Sequence, residues 1–249
     1  MKRSIILITS IFISFSFFLS CNLNIKRGNG NVEIKETELN DFSKLSIGGN
    51  YNVTLIQGKD NKVIIETDEN LFRYINVELF DQTLNINNVH NLKGSEGIKV
   101  DIYYIKLDKI FSTGASKIVH EDILVADELS VNLSGAGAID LEIETSSVKV
   151  NLSGAGVIKL SGKTDRQETH ITGAGGLDAM ELISNACNIN LSGLGGAEVY
   201  AVEKLEATIT GIGGIIYGGN PKLIERQVTG LGKIVRAEEF IEDSEDENI

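Results

Sequence analysis

Aliphatic and polar residues alternate along most of this chain with a period of two, and glycine punctuates the alternation. Leu129, Val131 and Leu133 are separated by Ser130 and Asn132, a short glycine-rich phrase follows, and Ile139, Leu141 and Ile143 then alternate with Asp140, Glu142 and Glu144. The next stretch repeats the arrangement, with Val148, Val150 and Leu152 before the glycines and Ile158 and Leu160 after them. Such alternation predicts strands with one buried and one solvated face. Similar text begins at Val32 and Ile34 and continues through Phe42 to Ile47, Tyr51 to Leu55, Val63 to Glu66, Ile75 to Leu79, Leu84 to Ile86, Ile98 to Ile105 and Lys109 to Ser112. Gln57-Gly58-Lys59-Asp60-Asn61 predicts a turn, and Glu69 to Tyr74 a single helical turn.

The glycine phrase itself recurs. It reads Ser134-Gly-Ala-Gly, Ser153-Gly-Ala-Gly, Thr172-Gly-Ala-Gly, Ser192-Gly-Leu-Gly, Thr210-Gly-Ile-Gly and Thr229-Gly-Leu-Gly, with successive hydroxyls 19, 19, 20, 18 and 19 residues apart. Thr113-Gly114-Ala115-Ser116 is a looser copy. A fixed period of this length predicts stacked units, none of which buries its apolar face alone. Stacking pairs the aliphatics into two internal ladders. One comprises Leu133, Leu152, Ile171, Leu191, Ile209 and Val228, and the other Ile139, Ile158, Leu177, Ala197, Ile215 and Ile234. The expected fold is an all-β, flattened parallel solenoid with about 19-residue repeats and Gly-rich corners. Two reasons for the glycines are open: backbone angles that other residues adopt at a cost, and close approach of stacked backbones. The hydroxyls fit hydrogen bonding within the turn or along the stack. No His or carboxylate recurs at a matched offset, which argues against a nucleophilic serine.

The first twenty residues change the picture of where the protein works. Lys2 and Arg3 precede an apolar stretch from Ile5 to Leu19, which predicts a signal peptide over 1–20. Phe18-Leu19-Ser20-Cys21 resembles a bacterial lipobox, so Cys21 is the expected lipidation site and the N-terminal lipid the expected link to the membrane. That leaves Cys187 without a partner, in an alternating segment that predicts a buried thiol. The remaining boundaries are a lipidated tether over 21–30, an N-terminal β part over 31–110, the repeats over 111–237 and an acidic tail over 238–249. The last twelve residues carry seven acids, which predicts a solvating tail and also suggests protection of the open solenoid end. A net charge of −12 with no basic run excludes nucleic acid as a partner. Glycine is abundant at 26 and proline is 1, as suits a turn-rich β protein.

No catalytic, cofactor or metal site is expected. His90, His120 and His170 have no metal-like neighbour at short spacing. His170 falls in an outward register with Asn132, Asn151, Asn190, Thr208 and Gln227. Asp140, Lys159, Asp178 and Glu198 share another, readable as a compensating charge ladder or as a carbohydrate or cation groove.

The order of motifs resembles the head-GIN domain family, secreted bacterial proteins described as autotransporter adhesins. The residues that carry the likeness are Gly28-Asn29-Gly30-Asn31-Val32, Phe42 to Ile47, Tyr51 to Gly58, the Leu84-Asn85-Ile86 strand and the corner phrases, over roughly Gly28 to Ala237. The resemblance implies a right-handed parallel β-helix of the pectate-lyase-like kind without catalytic residues. The function it points to is a non-enzymatic, lipid-anchored envelope protein, at the outer membrane on its surface or periplasmic face, acting as an adhesin-like binding or scaffold module. Expected partners are a host or matrix protein or a polysaccharide, and a homo-oligomer is open. A polysaccharide-binding or polysaccharide-cleaving β-helix and a periplasm-facing structural or sensing protein are the rival readings.

Overall fold

A computed structural model describes residues 25–238, so the signal segment, Cys21 and all but the first residue of the acidic tail lie outside it. The described chain is a parallel β-solenoid of about 7 turns with roughly 19-residue spacing and only 2% helix. Its strands are, in chain order, β1 (Lys26–Arg27), β2 (Val32–Glu38), β3 (Lys44–Gly48), β4 (Asn52–Gln57), β5 (Lys62–Asp68), β6 (Ile75–Phe80), β7 (Thr83–Asn88), β8 (Leu92–Lys93) and β9 (Lys99–Tyr104). There follow β10 (Lys109–Ser112), β11 (Lys117–Leu133), β12 (Ala138–Leu152), β13 (Val157–Ile171), β14 (Gly176–Leu191), β15 (Leu194–Ile209), β16 (Ile212–Gly218), β17 (Leu223–Val228) and β18 (Leu231–Arg236). The helical turn expected near Tyr74 is a 3-10 turn over Phe72–Tyr74.

Both predicted ladders are present. Leu133 pairs with Leu152, Leu152 with Ile171, Ile171 with Leu191, Leu191 with Ile209 and Ile209 with Val228. Ile139, Ile158, Leu177, Ala197, Ile215 and Ile234 pair in the same sequential way. All these side chains are buried except Val228, on the last first-face strand described. Each glycine corner joins a first face, formed by the strand that ends at the corner, to a second face formed by the strand that leaves it. Opposite the glycines the chain turns back without leaving the strand, so β11 to β15 each run 15 to 17 residues. Register shifts there, at Val119/Ile123, Lys159/Gly162 and Ala179/Ile183, absorb the bend.

At the corners, close approach and not backbone angle is the operative reason for glycine. Only Gly213, Gly162 and a few glycines outside the corners have positive φ. A Cβ on Gly154 or Gly173 would instead run into the carbonyl oxygen of Gly135 or Gly154 one rung earlier. Backbone hydrogen bonds follow the same stack, from Ala155 to Gly135 at 3.0 Å and from Ala174 to Gly154 at 2.9 Å.

The solenoid also extends beyond the repeats recognised in the sequence. On the first face the spatial order is β7, β3, β10, β11, and on the second it is β5, β9, β4, β11. The rung carrying β3 and β4 therefore lies inside the one carrying β7 and β9, although it comes earlier in the chain. Antiparallel strands close this end: β2 on β5, β5 on β9, and β6 on β7 through Asp81 and Gln82 at positive φ. The expected tether meets the body before Gly30, because β1 pairs in parallel with β8.

Candidate binding surface

Outward residues of the first face form straight columns, because parallel register carries every side chain onto its equivalent in the next rung. The central column is Phe111, Asn132, Asn151, His170, Asn190, Thr208 and Gln227. Asn151 donates through Nδ2 to Asn132 Oδ1 at 2.9 Å, and Asn132 Nδ2 donates to the Ile110 carbonyl at 3.3 Å. These two amides are thus oriented by their neighbours within a largely half-buried polar row.

Beside it runs a charged column: Lys44, Lys109, Ser130, Lys149, Glu168, Asn188, Glu206 and Glu225. Its sign changes midway, from lysines to glutamates. Where it changes, Lys149 Nζ lies 2.9 Å and His170 Nε2 2.8 Å from the same Glu168 oxygen, Oε1. These contacts, His170 first, hold the Glu168 carboxyl below its ordinary range. Exposed pairs of this kind contribute about 0–1 kcal/mol each, so they set side-chain placement more than stability.

The second face offers a different surface. Asp140, Lys159, Asp178 and Glu198 do form one column. Lys159 nevertheless pairs with Glu181 at 3.7 Å, outside the column, so the compensating ladder is not what forms. Among the described residues no three His, Cys, Asp or Glu side chains come together as a metal ion would need. His120 Nε2 instead lies 2.6 Å from the Tyr104 hydroxyl, while Nδ1–H donates to the Asp122 carbonyl at 2.6 Å. Cys187 is buried, and burial pushes its thiol up to about 12. Of the corner hydroxyls, all exposed, Ser192 reaches the Ile171 carbonyl at 3.4 Å and Thr113 that of Ile47 at 3.5 Å. The Cys21 lipidation site lies outside the described residues.

One constellation was missed in the sequence. Asp68 is fully buried and accepts hydrogen bonds from Gly30 N at 2.6 Å and from Ser95 N and Oγ at 2.8 Å each. Burial works to raise its carboxyl, but the Ser95 and Gly30 hydrogen bonds outweigh it and hold the group below the usual range. A Cβ on Gly28 would strike that carboxylate, and Gly30 needs φ +88. Asn29 and Asn31 both donate to Glu69 Oε1, at 2.9 and 3.2 Å. The Gly-Asn-Gly-Asn opening is therefore a latch that fixes the incoming chain. Its partners Asp68 and Ser95 lie far along the sequence, and only the glycines hinted at them.

A solenoid with these corners belongs to a known class. The family model described as "Putative auto-transporter adhesin, head GIN domain" matches residues 41–221. The chain is a member of the head GIN domain family. Among solved structures, a "putative adhesin" from Bacteroides fragilis is similar with TM-score 0.81 and 24% identity, covering 85% of this chain and 99% of that one. A "Putative lipid binding protein" from Parabacteroides distasonis matches with TM-score 0.71 and 25% identity over 86% of this chain and 99% of its own. A "putative adhesin" from Parabacteroides merdae gives TM-score 0.68 and 22% identity over 86% and 99%. Comparison with curated proteins finds no match.

Proposed function

We propose that the protein is a non-enzymatic, adhesin-like binding module of the cell envelope, held at the outer membrane by lipid on Cys21. Its working surface is the first face of the solenoid, and its partner a host or matrix protein or a polysaccharide. The observation that carries the reading is the polar column Asn132, Asn151, His170, Asn190, Thr208 and Gln227, its first two amides linked, beside a column of opposite charges. A flat face with a polar side chain at each of these rungs suits an extended partner that makes many weak polar contacts. Family membership and the adhesin descriptions of its structural relatives support the same reading.

Cells with and without the protein, compared for adherence to several host and matrix ligands, test it. Expression of an Asn151→Glu/Asn190→Glu variant should lower adherence while leaving the amount of folded protein unchanged. Equal adherence in all three strains would remove the binding role, and protection of the protein from protease on intact cells would remove an outward-facing one. Mass analysis of the mature N-terminus tests the acyl group on Cys21 separately.

A further inference from the structure

A group of cations gathers at the N-terminal end of the solenoid. Lys44, Lys62, Lys99, Lys149, Lys159, Lys204 and Lys222 each lie within 4.0 Å of a carboxylate. Among the described residues, Lys26, Arg27, Arg73 and Lys93 have no such partner, nor do Lys109, Lys117, Lys163 and Lys233. They are nevertheless neighbours: Arg27 pairs in register with Lys93 and Lys26 with Leu92. Lys26 Nζ sits 5.8 Å and the Arg73 guanidinium 5.0 Å from the centroid of the Tyr74 ring. His90 meets the same ring edge-on at 5.4 Å. Beside it Val89 projects into solvent with 84% of its surface exposed, and Ile25 is 37% exposed. Three acids lie nearby and keep their charge, Asp68 hydrogen-bonded to Ser95 and Gly30, Glu69 to Asn29 and Asn31, and Glu96, so the four cations exceed them by one. In a chain of net charge −12 this concentration runs against the average.

Basic side chains around an amphipathic tyrosine, with an exposed aliphatic residue beside them, match the chemistry of a bilayer interface. The location agrees, because only Asn22, Leu23 and Asn24 separate Cys21 from Ile25. The Asp68 latch makes the patch rigid relative to the solenoid. We propose that Lys26, Arg27, Arg73 and Lys93, with Tyr74 and Val89, form a docking surface for an anionic phospholipid bilayer that sets the orientation of the anchored solenoid. This rests on the anchored reading for its geometry but not for its chemistry. Docked this way, the stacked rungs point away from the membrane and the first face stays free along its length.

The test uses the full chain, purified from membranes and floated with vesicles of phosphatidylcholine alone or with phosphatidylglycerol. A Val89→Cys variant carries an environment-sensitive dye, and buried Cys187 stays unlabelled. The dye should shift to the blue with phosphatidylglycerol vesicles only and return at high salt, because exposed charges are screened. The shift should disappear in Lys26→Gln/Arg27→Gln/Arg73→Gln/Lys93→Gln. It should persist in Lys117→Gln/Lys159→Gln/Lys163→Gln/Lys233→Gln, which removes as many charges elsewhere. Each basic group near an anionic surface is worth roughly a fivefold factor, so flotation that depends on phosphatidylglycerol should fall on the order of a hundredfold in the first variant. Identical emission on both vesicle types, or a shift that survives the first variant, overturns the proposal. Failure to float with phosphatidylcholine vesicles would count against the lipid anchor alone, and phosphatidylglycerol-dependent binding would still report on the patch.

Discussion

A methyl group added at Gly154 has nowhere to go, since it would press on the Gly135 carbonyl oxygen of the preceding rung. Gly176, three residues beyond the next corner's first glycine, is different: the nearest atom to its added Cβ is the Gly196 carbonyl oxygen at 3.8 Å. Gly154→Ala should therefore cost at least about 1–3 kcal/mol, as overpacking does. Gly176→Ala should be close to neutral or slightly stabilising, through lost freedom of the unfolded chain. Denaturant midpoints of the two variants decide this, and equal losses would show that close approach to the preceding rung is not what sets the cost at Gly154. A second residue-level expectation concerns His120. Burial disfavours its imidazolium and lowers its pKa, overriding the opposing pull of Asp122 and Glu121. Tyr104, its phenol pushed above the ordinary range by burial, donates to the neutral ring. The folded state thus binds fewer protons than the unfolded one just below the ordinary histidine value of about 6.5. Its contribution is complete above that value and is lost as pH falls toward the lowered folded value. Thermal midpoints should fall less steeply with acidification in His120→Gln than in the parent, and parallel curves would refute the assignment.

Between the corners, most inward positions are aliphatic, but one region of the core is polar. Ser184 Oγ donates to Gln167 Oε1 at 2.9 Å, and Gln167 Nε2 to Thr169 Oγ1 at 3.2 Å, all three side chains fully buried. Thr145 and Thr164 join across adjacent rungs at 3.0 Å. The Ser184–Gln167 link follows the register shift between β13 and β14 at Lys159/Gly162, and both links tie adjacent rungs whose aliphatic ladders alone would tolerate a slip. Ser184→Ala leaves the Gln167 amide oxygen short of its donor and should cost about 1–3 kcal/mol, measured by chemical unfolding. A loss below a few tenths would mean that Gln167 finds another partner. The aliphatic ladders were legible because regular corners kept Leu133, Leu152 and Ile171 in phase. Gln167 and Ser184 were not, since a polar residue in an inward register reads locally as an outward one. Nor was the order of β7, β3 and β10, because the chain there adds a rung beneath one it has already made, and no sequence period records that reversal. The polar column was visible as a register, but the link between Asn132 and Asn151 was not, because it depends on rotamers.

Across the whole molecule the two ends of the solenoid are finished in different ways. At the N-terminal end antiparallel strands turn the last hydrogen bonds aside, and the Asp68 latch holds the entering chain against them. At the opposite end of the described residues every residue of β17 is exposed, including Leu223, Ile224 and Val228. An open parallel edge carrying aliphatic residues is a template for pairing with another chain. Arg226 answers it. Its position continues the inward column Val131, Val150, Thr169, Ile189 and Ala207, where every earlier rung carries an uncharged side chain. The guanidinium lies 6.0 Å from the Tyr217 ring and donates to the Ile234 carbonyl at 3.4 Å, so it spans the mouth of the solenoid between its two faces. A second molecule stacking on this rung would have to bury that charge, at a cost of several kcal/mol unless it supplied a carboxylate. Arg226→Val removes the cost and extends the aliphatic ladder to the last first-face strand described. The variant should keep or slightly raise its thermal midpoint, because a β-branched residue suits the register. It should also form dimers or larger species in light scattering at concentrations where the parent does not. Arg226→Lys, which keeps the charge, should behave as the parent does. If Arg226→Val scatters as the parent across the concentration range, the edge is protected by something other than this charge, and Arg226 only bridges the two faces.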